Sequence, residues 1–364
     1  MKAVILVGGE GTRLRPLTLS VPKAMVPIVN RPFLAHMVDY LKCHGIDDII
    51  LAMGYLPDPI QSHFGDGGSL NVRLTYIIED SAMGTAGAVK NVEGHIDDVF
   101  FVFNGDTFTD IDLTRMLELH RSQKAQVTIA LTPVEDPTVY GVVDTDGNGR
   151  VQRFFEKPSR DQVTTNMVNA GAYILEPEVL DLIPRGEHFM FERGVFPQLL
   201  DRGDAIYGYK SEAYWIDIGT PQKYLRVNHD LLSGKVRGHF AGELVGDRLW
   251  VEPGSDIHPR AVLEGPVAVG KDCVIGPGSR VKGPAVIGSG CIVGTESDIE
   301  GAVIWPNTRI GGEASLKGCI IAEDVNIGDG SRIPEGCVLG RGVTVESGKE
   351  LSAGTEVWPV HTAR

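Results

Sequence analysis

The chain of 364 residues has no block of lysine and arginine, no apolar run of membrane-spanning length and no Cys-x-x-Cys pair. Its formal net charge of -14 at pH 7 repels an extended polyphosphate, so no nucleic-acid partner is expected, and any anion has to be held at a locally basic site. No transmembrane helix and no membrane partner are expected, and no basic-then-apolar leader pattern opens the sequence, so the expected address is the cytoplasm. The five cysteines, at 43, 273, 291, 319 and 337, have neither zinc nor redox spacing, and an odd number does not suit a secreted disulfide scaffold. The remaining balance, 42% hydrophobic and 23% charged, is that of a globular protein long enough for two domains.

The last third carries one aliphatic residue in every six. Val245, Val251, Ile257, Leu263, Val269, Ile275, Val281, Ile287, Val293 and Ile299 keep the step. After one five-residue step come Ile304, Ile310 and Leu316, and after a second come Ile321, Ile327, Ile333, Leu339, Val345, Leu351 and Val357. Neither a helix nor a simple strand has this period; a β-helix of six-residue rungs does. Two residues earlier the same phase is often small (Ser255, Ala261, Cys273, Ser279, Ala285, Cys291, Ser297, Ala302, Ala314, Cys319, Ser331, Cys337), so four cysteines read as interior thiols, stacked as two pairs, 273 with 291 and 319 with 337, each 18 residues apart. The pattern resembles the left-handed β-helix of hexapeptide-repeat proteins, which implies a homo-oligomer. Such helices also occur in CoA-dependent acyltransferases, but only His258 and His361 could serve as a base there, and neither sits in a supporting motif.

Residues 1–230 read as an α/β domain with a largely parallel sheet: β-rich runs at 3–7, 49–53, 74–78 and 99–103 alternate with helix-like segments at 32–44, 57–64 and 86–92. Ligands of such sheets bind beyond the carboxyl ends of the strands. After the first run comes GGEGTRLRPLT, in which Gly8, Gly9 and Gly11 free backbone N–H groups for phosphate oxygens and Arg13 adds a charged donor fork; Lys23 follows between two prolines. Leu14 stands where a dinucleotide loop would want its third glycine, and no Gly-Lys-Ser/Thr follows, so hydride transfer and P-loop hydrolysis are disfavoured.

The string GGEGTRLRPLTLSVPKAMVP closely resembles the signature of the sugar-1-phosphate nucleotidylyltransferases. GTAGAV at 84–89, NGD at 104–106, YGVV at 140–143, FEKP at 155–158, NAGAYIL at 169–175 and WIDIGTP at 215–221 extend the match. The resemblance implies a Rossmann-like nucleotidyltransferase domain over 1–230, a linker over 231–244 and a left-handed β-helix over 245–364. It implies that an NTP and a sugar 1-phosphate give NDP-sugar and pyrophosphate, a reaction that needs alignment and charge neutralisation rather than a protein nucleophile. Carried over by motif, Asp106 and Asp217 hold Mg2+, and Arg13 and Lys23 grip the NTP phosphates together with Gly8, Gly9, Gly11 and Thr12. Glu79, Gly84 and Thr85 also belong to the NTP-binding set. Gly141, Glu156, Lys157 and Asn169 bind the sugar phosphate, and Arg13, Lys23, Asp106, Lys157 and Asp217 form the catalytic set. Related proteins of this architecture serve as non-catalytic regulatory subunits; the presence of all five catalytic residues favours an enzyme here.

For the base, pyrimidine-using relatives tend to carry Gln near the position of Glu79. An ionised carboxylate only accepts, which matches the N1–H and 2-amino donors of guanine. FERGVFP at 191–197 is similar to a Glu-Lys-x-Val-Phe-Pro stretch of mannose-1-phosphate guanylyltransferases, with Arg193 in place of the lysine. GTP and mannose 1-phosphate are therefore the expected substrates, with glucose-1-phosphate thymidylyl or uridylyl transfer as the alternative.

Overall fold

A computed structural model describes residues 1–359. The expectations that fall on residues 360–364, His361 among them, lie outside the described residues. The chain packs as two compact units: Met1–Gly9 with Met37–Trp215, and Glu10–His36 with the chain from Ile216 onward. Among the described residues no helix is long and apolar enough to cross a membrane.

The first unit is built on nine strands: β1 (Lys2–Leu6), β2 (Asp48–Met53), β3 (Arg73–Ile78), β4 (Phe100–Asn104), β5 (Val127–Pro133), β6 (Gly141–Thr145), β7 (Val151–Glu156), β8 (Met167–Leu175) and β9 (Ile206–Lys210). They form one mixed sheet in the order β7-β6-β8-β4-β1-β2-β3, with β5 pairing β8 and β9. The half around β1 is parallel, with Val4 opposite both Ile50 and Val102, whereas β8 runs antiparallel to β4, β5 and β6. The parallel strands read AVIL, IILAM and FFVF because helices cover both faces of such a sheet, leaving no face for polar alternation. The helices are α1 (Phe33–Cys43), α2 (Pro57–Phe64), α3 (Gly84–Asn91), α4 (Leu113–Gln123) and α5 (Phe196–Asp201), all but the last two at positions the hydrophobic pattern indicates. Asp112 caps α4 by accepting from Arg115 N–H at 3.0 Å.

In the second unit the six-residue repeat closes into a three-faced parallel β-helix. Its rungs are in register: Val251, Val269, Ile287, Ile304, Ile321, Leu339 and Val357 stack on one face, Ile257 to Val345 on the next and Leu263 to Ile333 on the third. Both five-residue steps fall at the same corner, at Gly301 and Gly318, whose φ of 62° and 49° lets the turn lose a residue. One position departs from the count. Val245 belongs to the strand Glu243–Gly246, which pairs antiparallel with Leu249–Val251 and lies outside the coil, and Val245 is 56% exposed. The coil starts at Val251.

The small phase is interior, as expected: Cys273, Cys291, Cys319 and Cys337 are free and buried, and only Cys43 is exposed. Three of the thiols donate to backbone carbonyls: Cys273 to Gly288 O at 3.0 Å, Cys291 to Trp305 O at 3.2 Å and Cys337 to Ser352 O at 3.3 Å. Burial pushes the Cys291 thiol up to about 12, so it stays protonated and unreactive. A thiol reagent at pH 8 is expected to titrate Cys43 alone in the native protein and all five cysteines in denaturant. Rapid native labelling of a second thiol would contradict the interior stack.

A sixth helix, α6 (Pro221–Leu232), completes the unit. Thr220 caps it by accepting from Lys223 N–H at 3.4 Å, and Pro221 takes the first turn, where its missing N–H costs nothing.

Candidate active site

In the first unit the chain leaves β1 through Val7, whose N–H donates to Ala52 O at 2.8 Å. Gly8 then passes Gly54 so closely that a Cβ on Gly8 would lie 3.4 Å from Gly54 N and 3.5 Å from Glu79 Oε1; Gly9 is exposed with open space around it. Glu79 stands at the end of β3. Its N–H donates to Met53 O at 2.7 Å and its Oε2 accepts from Met83 N–H at 3.1 Å, which holds the carboxylate beside the Gly8 backbone. Burial raises its pKa above the ordinary carboxylate range, opposed by the Met83 hydrogen bond. Gly84 opens α3 at φ 70°, and Thr85 Oγ1 accepts from Phe191 N–H at 3.1 Å while donating to Glu192 Oε2 at 3.0 Å. At the end of β4, Gly105 N–H donates to Leu6 O at 2.9 Å. A Cβ there would fall 2.3 Å from that oxygen, so this crossing demands glycine and delivers Asp106 just past the carboxyl end of the strand.

The residues expected at the sugar phosphate gather on β6, β7 and β8. Gly141 is the register partner of Glu156, and a Cβ on Gly141 would meet Glu156 Oε2 at 3.0 Å. Lys157 is exposed, 4.0 Å from Glu156 Oε1, and has φ 51°. A lysine in the left-handed region stores strain that the surroundings must offset, a feature concentrated at ligand sites. Asn169 accepts from Gly171 N–H at 2.9 Å and donates to Tyr173 Oη at 2.8 Å; Tyr173 in turn donates to Glu192 Oε1 at 3.4 Å. Burial first, and the neighbouring Glu192 second, raise the Glu156 pKa. Glu192 thus joins Asn169, Tyr173 and Thr85 in one hydrogen-bonded chain, a role that reading FERGVFP by its Arg193 misses. The available signal is a glutamate inside the apolar run around Phe191, Val195 and Phe196, where Glu192 is buried within a π-turn, a local geometry frequent at functional sites.

Arg13, Lys23 and Asp217 belong to the second unit together with Gly11 and Thr12. Gly11 adopts φ 62°, and a Cβ on it would lie 3.1 Å from Thr18 Cγ2 and 3.2 Å from Lys23 Cβ, so the loop packs directly on the base of Lys23. Thr18 Oγ1 pins the turn by donating to Gly11 O at 2.8 Å. Thr12 and Arg13 follow in a single 3-10 turn closed by Leu14 N–H on Gly11 O at 2.9 Å, and the apolar Leu14 and Leu17 beyond them are buried. Asp217 Oδ1 accepts from Gly219 N–H at 3.1 Å, and Lys223 pairs with Oδ2. A Cβ on Gly219 would lie 2.7 Å from Asp217 Oδ1 and 2.9 Å from Arg13 Nη2, so the carboxylate and the guanidinium flank one point beside Gly219.

Among the described residues no group of three or more His, Cys, Asp or Glu could hold a metal ion. Asp106 in the first unit and Asp217 in the second each offer carboxylate oxygens, the donor type that a hard divalent cation takes.

A family model described as nucleotidyl transferase matches residues 2–234. The chain belongs to the nucleotidyl transferase family. A second model, described as the EIF2B subunit epsilon LbH domain, matches residues 247–351 and accords with a left-handed β-helix. The enzyme is 43% identical over 285 residues to a mannose-1-phosphate guanylyltransferase of Mycobacterium tuberculosis, covering 76% of this chain and 77% of that protein. It is 33% identical to a UTP–glucose-1-phosphate uridylyltransferase of Synechocystis over 100% of this chain and 94% of the relative. A crystal structure of HddC from Yersinia pseudotuberculosis complexed with GMP-PN superposes with a TM-score of 0.54 at 33% identity, covering 62% of this chain and 97% of that one. These relatives place the enzyme among the sugar-1-phosphate nucleotidylyltransferases.

Proposed function

We propose that the enzyme transfers a guanylyl group from GTP to mannose 1-phosphate, releasing pyrophosphate and forming GDP-mannose. The observation that carries the base assignment is Glu79: an acceptor-only carboxylate, held by Met83 N–H next to the Gly8 backbone, complements the paired N1–H and 2-amino donors of guanine. The mannose-1-phosphate guanylyltransferase relative at 43% identity supports the same reading.

In this reading Arg13 and Lys23 bind the triphosphate and neutralise the charge that builds on the leaving pyrophosphate. Lys157 binds the phosphate of the sugar, and Glu156 and Glu192 accept hydrogen bonds from its hydroxyls. Asn169, fixed by Tyr173 and Gly171, sets the ring in place. The sugar-phosphate oxygen then attacks the α-phosphorus in line, and alignment supplies the largest part of the acceleration. Mg2+, held by carboxylates assigned as Asp106 and Asp217, would draw charge from the α-phosphate when bound.

A second reading, uridylyl transfer to glucose 1-phosphate, is favoured by the uridylyltransferase relative that spans the whole chain. Pyrophosphate release measured over a matrix of NTPs and sugar 1-phosphates with Mg2+ separates the two. GTP with mannose 1-phosphate is expected to give the highest kcat/KM; a higher value for UTP with glucose 1-phosphate would replace the first reading by the second. The GTP rate is also expected to decline on acidification from a higher pH than an ordinary carboxylate would set, because the raised Glu79 pKa means the accepting form is lost sooner as protons are added.

A further inference from the structure

The segment that carries Arg13 and Lys23 is tied to the β-helix at four successive coils. Asn30 Nδ2 donates to Ile287 O at 2.9 Å. Trp305 Nε1 donates to Tyr224 Oη at 2.8 Å, and Tyr224 in turn donates to Pro27 O. Ser20 Oγ donates to Glu323 Oε1 at 3.3 Å. A Cβ on Gly340 would lie 3.2 Å from Pro16 Cβ. The helix positions 287, 305, 323 and 340 advance by one coil each, whereas the segment positions 30, 27, 20 and 16 retreat. The segment is therefore laid antiparallel along one corner of the prism with one attachment per coil.

The packing agrees with these attachments. On the face that contains Ile287, the outward residues Ala268, Val286, Val303, Ile320 and Val338 are each no more than 4% exposed, although they lie outside the interior stack. The other two faces turn Arg280, Arg309, Asn326 and Thr344 outward, with Val262, Val274 and Ile292 there exposed by 40–42% and so uncovered. One face of three is thus apolar on both sides. Within the unit α6 lies against it at Ala285–Ile287, and Asn228 of α6 accepts from Val29 N–H at 2.8 Å.

We propose that the β-helix is a positioning element for nucleotidyl transfer. Glu323 through Ser20, and Trp305 through Tyr224 and Pro27, hold the chain on either side of Lys23 so that the ammonium is presented at one place. The proposal rests on the triphosphate role assigned to Lys23 above. Glu323 and Trp305 are positioning residues, since neither carries out chemistry.

The test is a set of full-length variants assayed with saturating and limiting substrates. Glu323→Ala removes the acceptor for Ser20, whereas Glu323→Gln keeps one. Trp305→Phe keeps an aromatic ring but removes the N–H together with part of the buried indole, so its melting point is read beside its kcat. Thr344→Ala, on an exposed face of the same helix, is the control. Positional loss predicts that kcat falls roughly tenfold in Glu323→Ala and Trp305→Phe, because a displacement of about 1 Å in a reacting group costs up to about 10²-fold. Glu323→Gln should recover most of the loss, and KM for the sugar 1-phosphate should stay within about twofold. Thermal unfolding run in parallel separates position from stability. Variants that melt earlier but keep wild-type kcat per folded molecule overturn the proposal, as does failure of Glu323→Gln to rescue. Activity retained in Lys23→Met would instead overturn the triphosphate reading. An inactive Lys23→Met beside fully active Glu323→Ala and Trp305→Phe would overturn the positioning role alone.

Discussion

Replacing Lys23 by Met is expected to lower kcat by about 10²–10³-fold, the cost typical of deleting one preorganised donor at a transition state. Methionine keeps nearly the same stem, so the close packing of Lys23 Cβ against Gly11 survives and the loop keeps its shape. The thermal midpoint should stay near that of the parent. The loss should fall on kcat, because charge builds on the leaving pyrophosphate only as the bond to the α-phosphorus breaks. Steady-state kinetics with GTP and mannose 1-phosphate read this directly. A variant with near-normal kcat would remove Lys23 from the chemistry and leave Arg13 as the phosphate ligand.

Asp217→Asn is expected to cost about 10³-fold in kcat/KM, equivalent to the several kcal/mol that a polarising cation contributes. The amide oxygen can still accept from Gly219 N–H, so the tight passage between Asp217 and Arg13 is kept. The ion pair with Lys223 is lost, but the Lys223 side chain is 35% exposed, so water can hydrate the ammonium left behind. The informative measurement is the dependence of rate on Mg2+ concentration. If Asp217 ligates the cation, half-saturation shifts to much higher Mg2+. An unshifted Mg2+ dependence with low kcat would point to a role in orienting Arg13 instead.

The sequence makes the chemistry legible where residue type and local spacing decide the structure. The strand run before Gly8 and the small interior phase of the β-helix are local patterns, and each is seen in the fold. What escapes a reading of motifs depends on contacts made far along the chain. Glu192 meets Thr85 and Tyr173 only because the π-turn at Phe191–Val195 folds back on α3 and β8. Val245 keeps the six-residue step in a strand that runs against the coil, so its side chain meets solvent where the count implies an interior. The hexapeptide count reads inward positions and is blind to outward ones. Yet Val267–Val269, Ala285–Ile287 and Ile320–Ile321 are uninterrupted apolar runs, the mark of a strand buried on both faces. The association of Glu10–His36 with the β-helix is written in those outward residues and not in the signature itself.

A parallel β-helix changes length in whole coils, because each coil stacks only on its neighbours. The four attachments fix three coils between Ile287 and Gly340, and the segment from Pro16 to Asn30 is cut to that span. Deleting one of these coils leaves a sound prism but strands a stretch of the glycine-rich signature with nothing to fasten to. The coils outside that span carry none of these four fastenings, so a change in their number leaves the fastened span as it is. Tolerance to insertion in this domain is therefore sorted by rung, strict in the middle and lenient at both ends.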